Sequence, residues 1–233
     1  MSTYYVTTSG NNSNSGTSGS PFLTVSYALS QSSSGDTISV GAGTFSEEIE
    51  INKQITLNGN NSGKTYGDAT RGSESVLSGG IVISGGDYSG ITIDGFTLKG
   101  DCTSMGVVNA VIDSRPTSSV VSNISIKNNI IDGENTSDRF CFYGNFIGGD
   151  WAFDGNEIKN FTSWYLIDNT GSSHNVSYKL DNVVFSNNHV HTVSGSIAIR
   201  GKMVDGDTSG QTDSITISGN TFNNFVDRFG SGG

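Results

Sequence analysis

The sequence predicts an all-β chain wound into a parallel β-helix, a solenoid whose coils stack along one axis. Three observations predict it. Apolar and polar residues alternate in short runs, a period-two pattern that marks strands with one buried face. The runs repeat: ITLNGN starts at Ile55, ITIDGF at Ile91, ISIKNN at Ile124, WAFDGN at Trp151, VVFSNN at Val183 and ITISGN at Ile215. The steps between them are 36, 33, 27, 32 and 32 residues. Finally, an Asn recurs at one place in the repeat, as in IKNNIID (126–132), FDGNEIKNF (153–161), FSNNHVHTV (185–193) and ISGNTFNNF (217–225).

Each observation has a physical reason. A short strand pair cannot bury its apolar face alone. Stacking each strand on its equivalent, about 4.8 Å away along the axis, buries it. Unequal steps mean that loops of different length leave the coil between strands. A sharp bend between two strands turns the Asn inward, so Asn60, Asn129, Asn156, Asn188 and Asn220 are expected to stack, with Phe96 in the second unit. Each buried amide is then satisfied by the next. Gly59, Gly155 and Gly219 are expected to supply a positive φ at the bend, and Asn128 and Asn187 are the next best residues for it.

Composition agrees with this reading. The 233 residues include 32 Gly but 2 Pro, which suits ladders that need every N–H. The formal net charge of -10 argues against nucleic-acid partners and anionic membrane surfaces. No stretch approaches the ~20 apolar residues of a membrane span, so no membrane insertion is expected. After Met1, STYYVTTSGNN shows no signal-peptide pattern. The chain is therefore expected to be made in a cytoplasm, or to leave it by another route such as cell lysis, as a virion component would. Cys102 and Cys141 have neither CxxC nor metal spacing and are expected to be small buried apolar residues.

At the start of the chain, TYYV (3–6) reads as a strand. SPFLTVSYALSQ (20–31) reads as a helix with Ser20 as N-cap and Pro21 at its first position. Phe22, Val25, Ala28 and Leu29 give it an apolar face that would plug the open end of the coil and hide its strand edges. GDTISVGAGTF (35–45) is the first coil, and EIEINKQITLNG (48–59) leads into the second.

These residues carry a resemblance. The Tyr-Val strand, the Ser-Gly-Asn-rich loop, the Pro-Phe helix, Gly35-Asp36-Thr37-Ile38, Gly43-Thr44-Phe45 and the Ile-Thr-Leu-x-Gly step resemble the opening of the pectate-lyase-like superfamily. The resemblance implies one right-handed, single-stranded parallel β-helix domain over 1–233, with about seven coils. Residues 1–45 form the N-terminal cap, with its α-helix, and the first coil; 46–233 form coils with inserted loops. It leaves activity open, because that superfamily includes polysaccharide lyases and hydrolases, epimerases, phage tailspikes and adhesins. At the far end Phe222, Phe225, Val226 and Phe229 crowd the last coil with no capping helix after them. Trimeric β-helices of phage fibres cover such an end with other subunits. The resemblance thus implies a homo-oligomer, a trimer first, or a larger assembly of which this chain is a module; a loop folded over the end is the alternative.

Chemistry concentrates just after the ladder Asn. The repeat spacing puts Thr97, Ile130, Glu157, His189 and Thr221 in one outward column and Lys99, Asp132, Lys159, His191 and Asn223 in the next. Asp132, Glu157, Lys159, His189 and His191 are the candidate catalytic residues, for proton abstraction from an acidic glycan by Lys159 or a His. The two His at i and i+2 could equally hold a metal. A solvated strand face with alternating charges explains the same residues without any chemistry. Asp205, Asp207 and Ser209 imitate the first half of a calcium loop without its terminal Glu, so a polar turn is the better reading and a Ca2+ site the sharper one. Trp164 and Tyr165 offer a stacking surface for a sugar; Trp151 falls at an inward position. A Thr row suited to ice starts at Thr92 and returns at Thr216, but Ser125, Ala152 and Val184 interrupt it. The functional expectation is a structural or receptor- and glycan-binding component, of a phage particle for example. The alternative is a polysaccharide lyase or hydrolase.

Overall fold

Period-two alternation becomes three parallel sheets. The computed structural model describes residues 1–84, 88–102, 110–114, 121–137, 139–144, 150–162, 167–169, 182–193, 199–201 and 215–225. The chain begins with β1 (Thr3–Val6), α1 (Val25–Gln31), β2 (Thr37–Val40), β3 (Gly43–Phe45) and β4 (Ile49–Ile51). Next come β5 (Thr56–Asn58), β6 (Ser75–Leu77), β7 (Ile81–Ile83), β8 (Tyr88–Asp94), β9 (Thr97–Leu98) and β10 (Ala110–Ser114). The middle holds β11 (Val121–Lys127), β12 (Ile130–Asp132), β13 (Phe140–Gly144), β14 (Trp151–Asp154), β15 (Glu157–Lys159) and β16 (Ile167–Asn169). The described part ends with β17 (Val183–Ser186), β18 (His189–Val193), β19 (Ile199–Gly201), β20 (Ile215–Ser218) and β21 (Thr221–Phe225).

From β2 onward every third strand joins the same sheet, and β1 adds to the edge of the first. The first sheet has eight strands, β1-β2-β5-β8-β11-β14-β17-β20. The second has seven, β3-β6-β9-β12-β15-β18-β21, and the third six, β4-β7-β10-β13-β16-β19. All pairings among these strands are parallel, so the chain climbs one rung per three strands. This is the parallel β-helix that the repeat predicts. Inside, equivalent residues stack: Ile38, Leu57, Ile93, Ile126, Phe153 and Phe185 form one buried column of the first sheet. Trp151 packs edge-on against Phe142 at 5.0 Å and is core, as its place in the repeat requires. Cys102 and Cys141 are buried and free, and burial pushes both thiols well above their ordinary range. Among the described residues no helix is long and apolar enough to cross a membrane.

The amide ladder forms at the corner between the first and second sheets. The backbone N–H of Asn129, Asn156 and Asn188 donates to the Oδ1 of Asn156, Asn188 and Asn220 at 2.9, 3.0 and 2.8 Å. The Nδ2 atoms of Asn129, Asn156, Asn188 and Asn220 donate to the carbonyls of Ile93, Ile126, Phe153 and Phe185. Phe96 begins the stack, its N–H donating to Asn129 Oδ1 at 2.9 Å. Each side chain thus closes the polar groups that the bend would orphan. Positive φ precedes the ladder residue at Gly95, Asn128, Gly155, Asn187 and Gly219.

Two expectations fail here. Asn60 is exposed and outside the ladder, its Nδ2 on the Ser73 carbonyl at 2.9 Å, and Gly59 does not have a positive φ. The chain leaves the coil at this corner for a long excursion, residues 59–74, so Asn60 belongs to the loop. Ser75 serves the corner instead. Its hydroxyl accepts from Asn60 N–H and donates toward the carbonyls of Val40 and Gly41.

The N-terminal helix is present but starts later than Ser20 and Pro21 suggest. Thr24 is the N-cap, its Oγ1 accepting from Tyr27 N–H at 3.3 Å. Phe22 is held in a parallel bridge to Val6, so the Pro-Phe step is extended backbone. Glu47 accepts from the N–H groups of Val25 and Ser26, which an N-terminal turn leaves free. Lys53 closes the other end on the carbonyls of Leu29 and Ser32. Val25, Ala28 and Leu29 are buried, as their spacing predicts.

Candidate functional site: the outer face of the second sheet

Register decides which side chains meet on this face. Thr97, Ile130, Glu157, His189 and Thr221 are paired in sequence across β9, β12, β15, β18 and β21. Asp132, Lys159, His191 and Asn223 are paired beside them. Both columns follow the repeat spacing.

Contacts across the columns, rather than along one, make the cluster. Glu157 is the hub. Its Oε2 accepts from Lys159 Nζ at 3.0 Å, and its Oε1 lies 3.0 Å from His191 Nε2. Burial pushes this carboxyl up, but the hydrogen bonds and charges of His191 and Lys159 outweigh burial and hold it below its ordinary value. The other nitrogen of His191, Nδ1, lies 3.0 Å from Thr192 Oγ1. Thr192 sits at φ 53°, an uncommon conformation for a β-branched residue. The rings of His189 and His191 are 4.5 Å apart. His189 Nε2 lies 3.3 Å from Asn223 Oδ1, while its Nδ1 is buried with no hydrogen-bond partner among the described residues.

Asp132 is in register with Lys159 but turns away from this cluster. Its Oδ1 accepts from Glu134 N–H at 2.9 Å and from Asn160 Nδ2 at 2.8 Å, tying off the turn after β12. Glu134 and Asn135 in that turn both have positive φ. A neighbouring clamp holds the turn: Arg139 pairs with Asp101 through Nε and Nη2 and with Glu134 through Nη1, and Lys99 reaches Glu134 at 3.2 Å. Trp164, Tyr165, Asp205, Asp207 and Ser209 lie outside the described residues.

One contributor escaped the sequence reading. The 59–74 excursion runs along the corner, crossing several rungs. Ser62 and Gly63 donate to Asp94, Arg71 Nη1 donates to the Asn128 carbonyl at 2.8 Å, and a Cβ on Gly155 would lie 3.2 Å from Thr65 Cγ2. Arg71 is nearly buried and also grips Glu74 through two nitrogens. The loop so held lays Tyr66 on His189, rings stacked with centroids 5.0 Å apart. Tyr66 keeps 36% of its surface exposed, enough to touch a ligand. The only signal in the sequence was the longest step, 36 residues, between Ile55 and Ile91, with one aromatic in the extra length.

The arrangement offers a charged hydrogen-bonding patch with an aromatic at its edge. Lys159, Glu157 and His191 form a continuous chain of ionisable groups within hydrogen-bond reach, the geometry that general acid–base chemistry needs. The model of one protein family, DUF1565, described as "Protein of unknown function", matches residues 8–227. The chain belongs to that family. No curated protein matches it. Among solved structures it is similar to a rhamnogalacturonan lyase, at 13% identity and a TM-score of 0.45 over 100% of this chain and 64% of that one. It is also similar to the GH136 lacto-N-biosidase from Eubacterium ramulus, at 10% identity and a TM-score of 0.32 over 96% of this chain. This chain spans 64% of the length of the first and 55% of the second.

Proposed function

We propose that the chain is a structural, glycan-binding β-helix component that presents the outer face of its second sheet to a saccharide. The observation that carries the reading is Tyr66, a half-exposed ring stacked beside a row of donors and acceptors at strand spacing. Sugars are bound in this way, with an apolar ring face on an aromatic and hydroxyls on polar groups. The cluster is also largely engaged with itself: both His191 nitrogens and both Glu157 oxygens have partners. That suits a preformed binding surface. The test is a glycan array with the parent and Tyr66→Ala. Binding that falls in the variant supports the reading; an array with no bound glycan removes it.

The second reading is a polysaccharide lyase or hydrolase, favoured by the Lys159–Glu157–His191 chain of ionisable groups. New reducing or unsaturated ends released from an acidic glycan, and lost in His191→Gln, would select it over binding alone.

The proposal extends to assembly, in a virion for example. The last described rung exposes Ile215 at 47% and Ile217 at 57%, although their register partners Val183 and Phe185 are buried. A second copy, in a trimer first, is the proposed cover. Sedimentation giving a monomer at high concentration would remove this part and leave glycan binding standing.

A further inference from the structure

We infer that Glu157, His189 and His191 form a binding site for a divalent first-row transition ion of the zinc type. The inference is independent of glycan binding and concerns the side chains under Tyr66 rather than the ring's exposed face.

The donor set comes first. Two imidazoles and one carboxylate, on adjacent strands, bring one ligand atom each to within 4.8 Å of one another. His191 Nε2 and Glu157 Oε1 are already 3.0 Å apart. Ligand atoms around a tetrahedral zinc, with bonds of about 2.0–2.2 Å, stand about 3.3 Å apart. Drawing the three ligand atoms in from within 4.8 Å to that spacing completes the geometry. The fourth position stays open to water or another ligand.

The second observation is His189 Nδ1. Asn223 Oδ1 can only accept, so it fixes the proton of His189 on Nε2. Nδ1 then carries a lone pair, shielded from water, with no donor facing it among the described residues. A buried acceptor left unmade is costly, and a metal ion is a partner that meets this need. The surroundings match the usual support of metal-bound histidines, whose second nitrogen is held by an oxygen. Asn223 does this for His189. Thr192, at its unusual φ, does it for His191 once Nε2 gives up its proton to bind and Nδ1 becomes the donor. Lys159 holds the remaining oxygen of Glu157.

The chemistry excludes calcium. Calcium takes six to eight oxygen ligands, and this site supplies two imidazole nitrogens. Imidazole with carboxylate suits zinc, nickel, copper or iron instead.

The test uses the untagged full chain, stripped with a chelator and titrated with Zn2+ by calorimetry in millimolar Ca2+. A parallel Co2+ titration reads the visible absorption of the bound ion. The expected result is one ion per chain. Asn223→Ala should weaken binding about 10-fold, in the range seen for groups that orient metal ligands. His189→Ala should weaken it further, and Tyr66→Ala least. Circular dichroism checks that each variant folds; Glu157→Gln, of equal size, replaces any that does not and should also lose the ion. Zn2+ binding absent from the parent, or unchanged in the His189→Ala, His191→Ala double variant, overturns the site.

Discussion

The inner corner of the solenoid and the outer face beside it are built by the same register, yet they obey different rules. At the inner corner the same residue recurs: Asn129, Asn156, Asn188 and Asn220 stack, each closing the backbone of its neighbours. On the outer face a few residues further along, the stacked residues are Thr97, Ile130, Glu157, His189 and Thr221, with no two alike in succession. The difference follows from water. Inside, a bend presents the same unsatisfied groups on every rung, and one side chain of the right length answers them. Outside, no bend presents the same groups on every rung, and solvent or neighbouring side chains can satisfy what stands there, so identity is free to vary and to carry function. The comparison teaches that repetition in this chain reports structure, while departure from repetition marks candidate function.

The sharpest way to break the comparison is to remove one ladder amide. Asn156→Ala removes the acceptor of the Asn129 N–H and one donor to the Ile126 carbonyl at a fully buried place, and leaves a small void. A loss of about 3–5 kcal/mol is expected in denaturant unfolding, against under about 0.5 kcal/mol for exposed Asn60→Ala. Equal losses would show that the ladder carries no special weight.

Arg71→Met comes next. It strips the loop of its grip on Glu74 and the Asn128 carbonyl, with an expected cost of about 2–4 kcal/mol. The loop's release should also remove Tyr66 from His189. Proton chemical shifts of the His189 ring, which an aromatic neighbour displaces, provide the measurement.

A smaller effect separates the charged outer face from the neutral inner corner. Glu157 has a folded value below 4.5, so the folded state binds its proton less readily than the unfolded chain does. Its contribution is complete above about pH 4.5 and is lost as pH falls through the folded value. Glu134, held low by Arg139 and Lys99 against its own burial, adds in the same direction. Glu157→Gln should therefore flatten part of the stability loss below pH 4.5, while Asn156→Ala should shift the whole curve without changing its slope. An unchanged slope in Glu157→Gln would mean that His191 and Lys159 do not hold this carboxylate in solution.

The least costly change is Tyr66→Ala, expected to lower stability by about 0.5–1 kcal/mol, the usual worth of one aromatic pair at a surface. Its effect on saccharide binding should exceed its effect on unfolding.

Much of this was legible in the chain. The step of 32 residues between Trp151, Val183 and Ile215 placed Glu157 beside His189, and Lys159 beside His191 and then Asn223. Where loops are short the repeat count is the register count. It failed at Asn60, Gly59 and Ser20. In the first two cases a 59–74 insertion displaces the corner from the pattern, and Ser75 fills the role with a different side chain. In the third, the Pro-Phe step pairs with β1, and this tertiary contact outweighs a local helix signal.

The sequence by itself determined the coil, its register and which residues face outward, because period-two alternation and a fixed repeat leave a parallel stack one way to bury its apolar face. Only the tertiary structure decided which outward groups touch. Asp132 shares a column with Lys159 but spends its carboxylate on a turn, while Glu157 reaches across columns to His191. Tyr66 arrives on a loop that leaves the coil after β5 and meets His189 on β18, a path that no periodicity describes. Side-chain direction on a wet face and the path of an insertion depend on contacts distant in sequence, and those exist only once the chain is coiled.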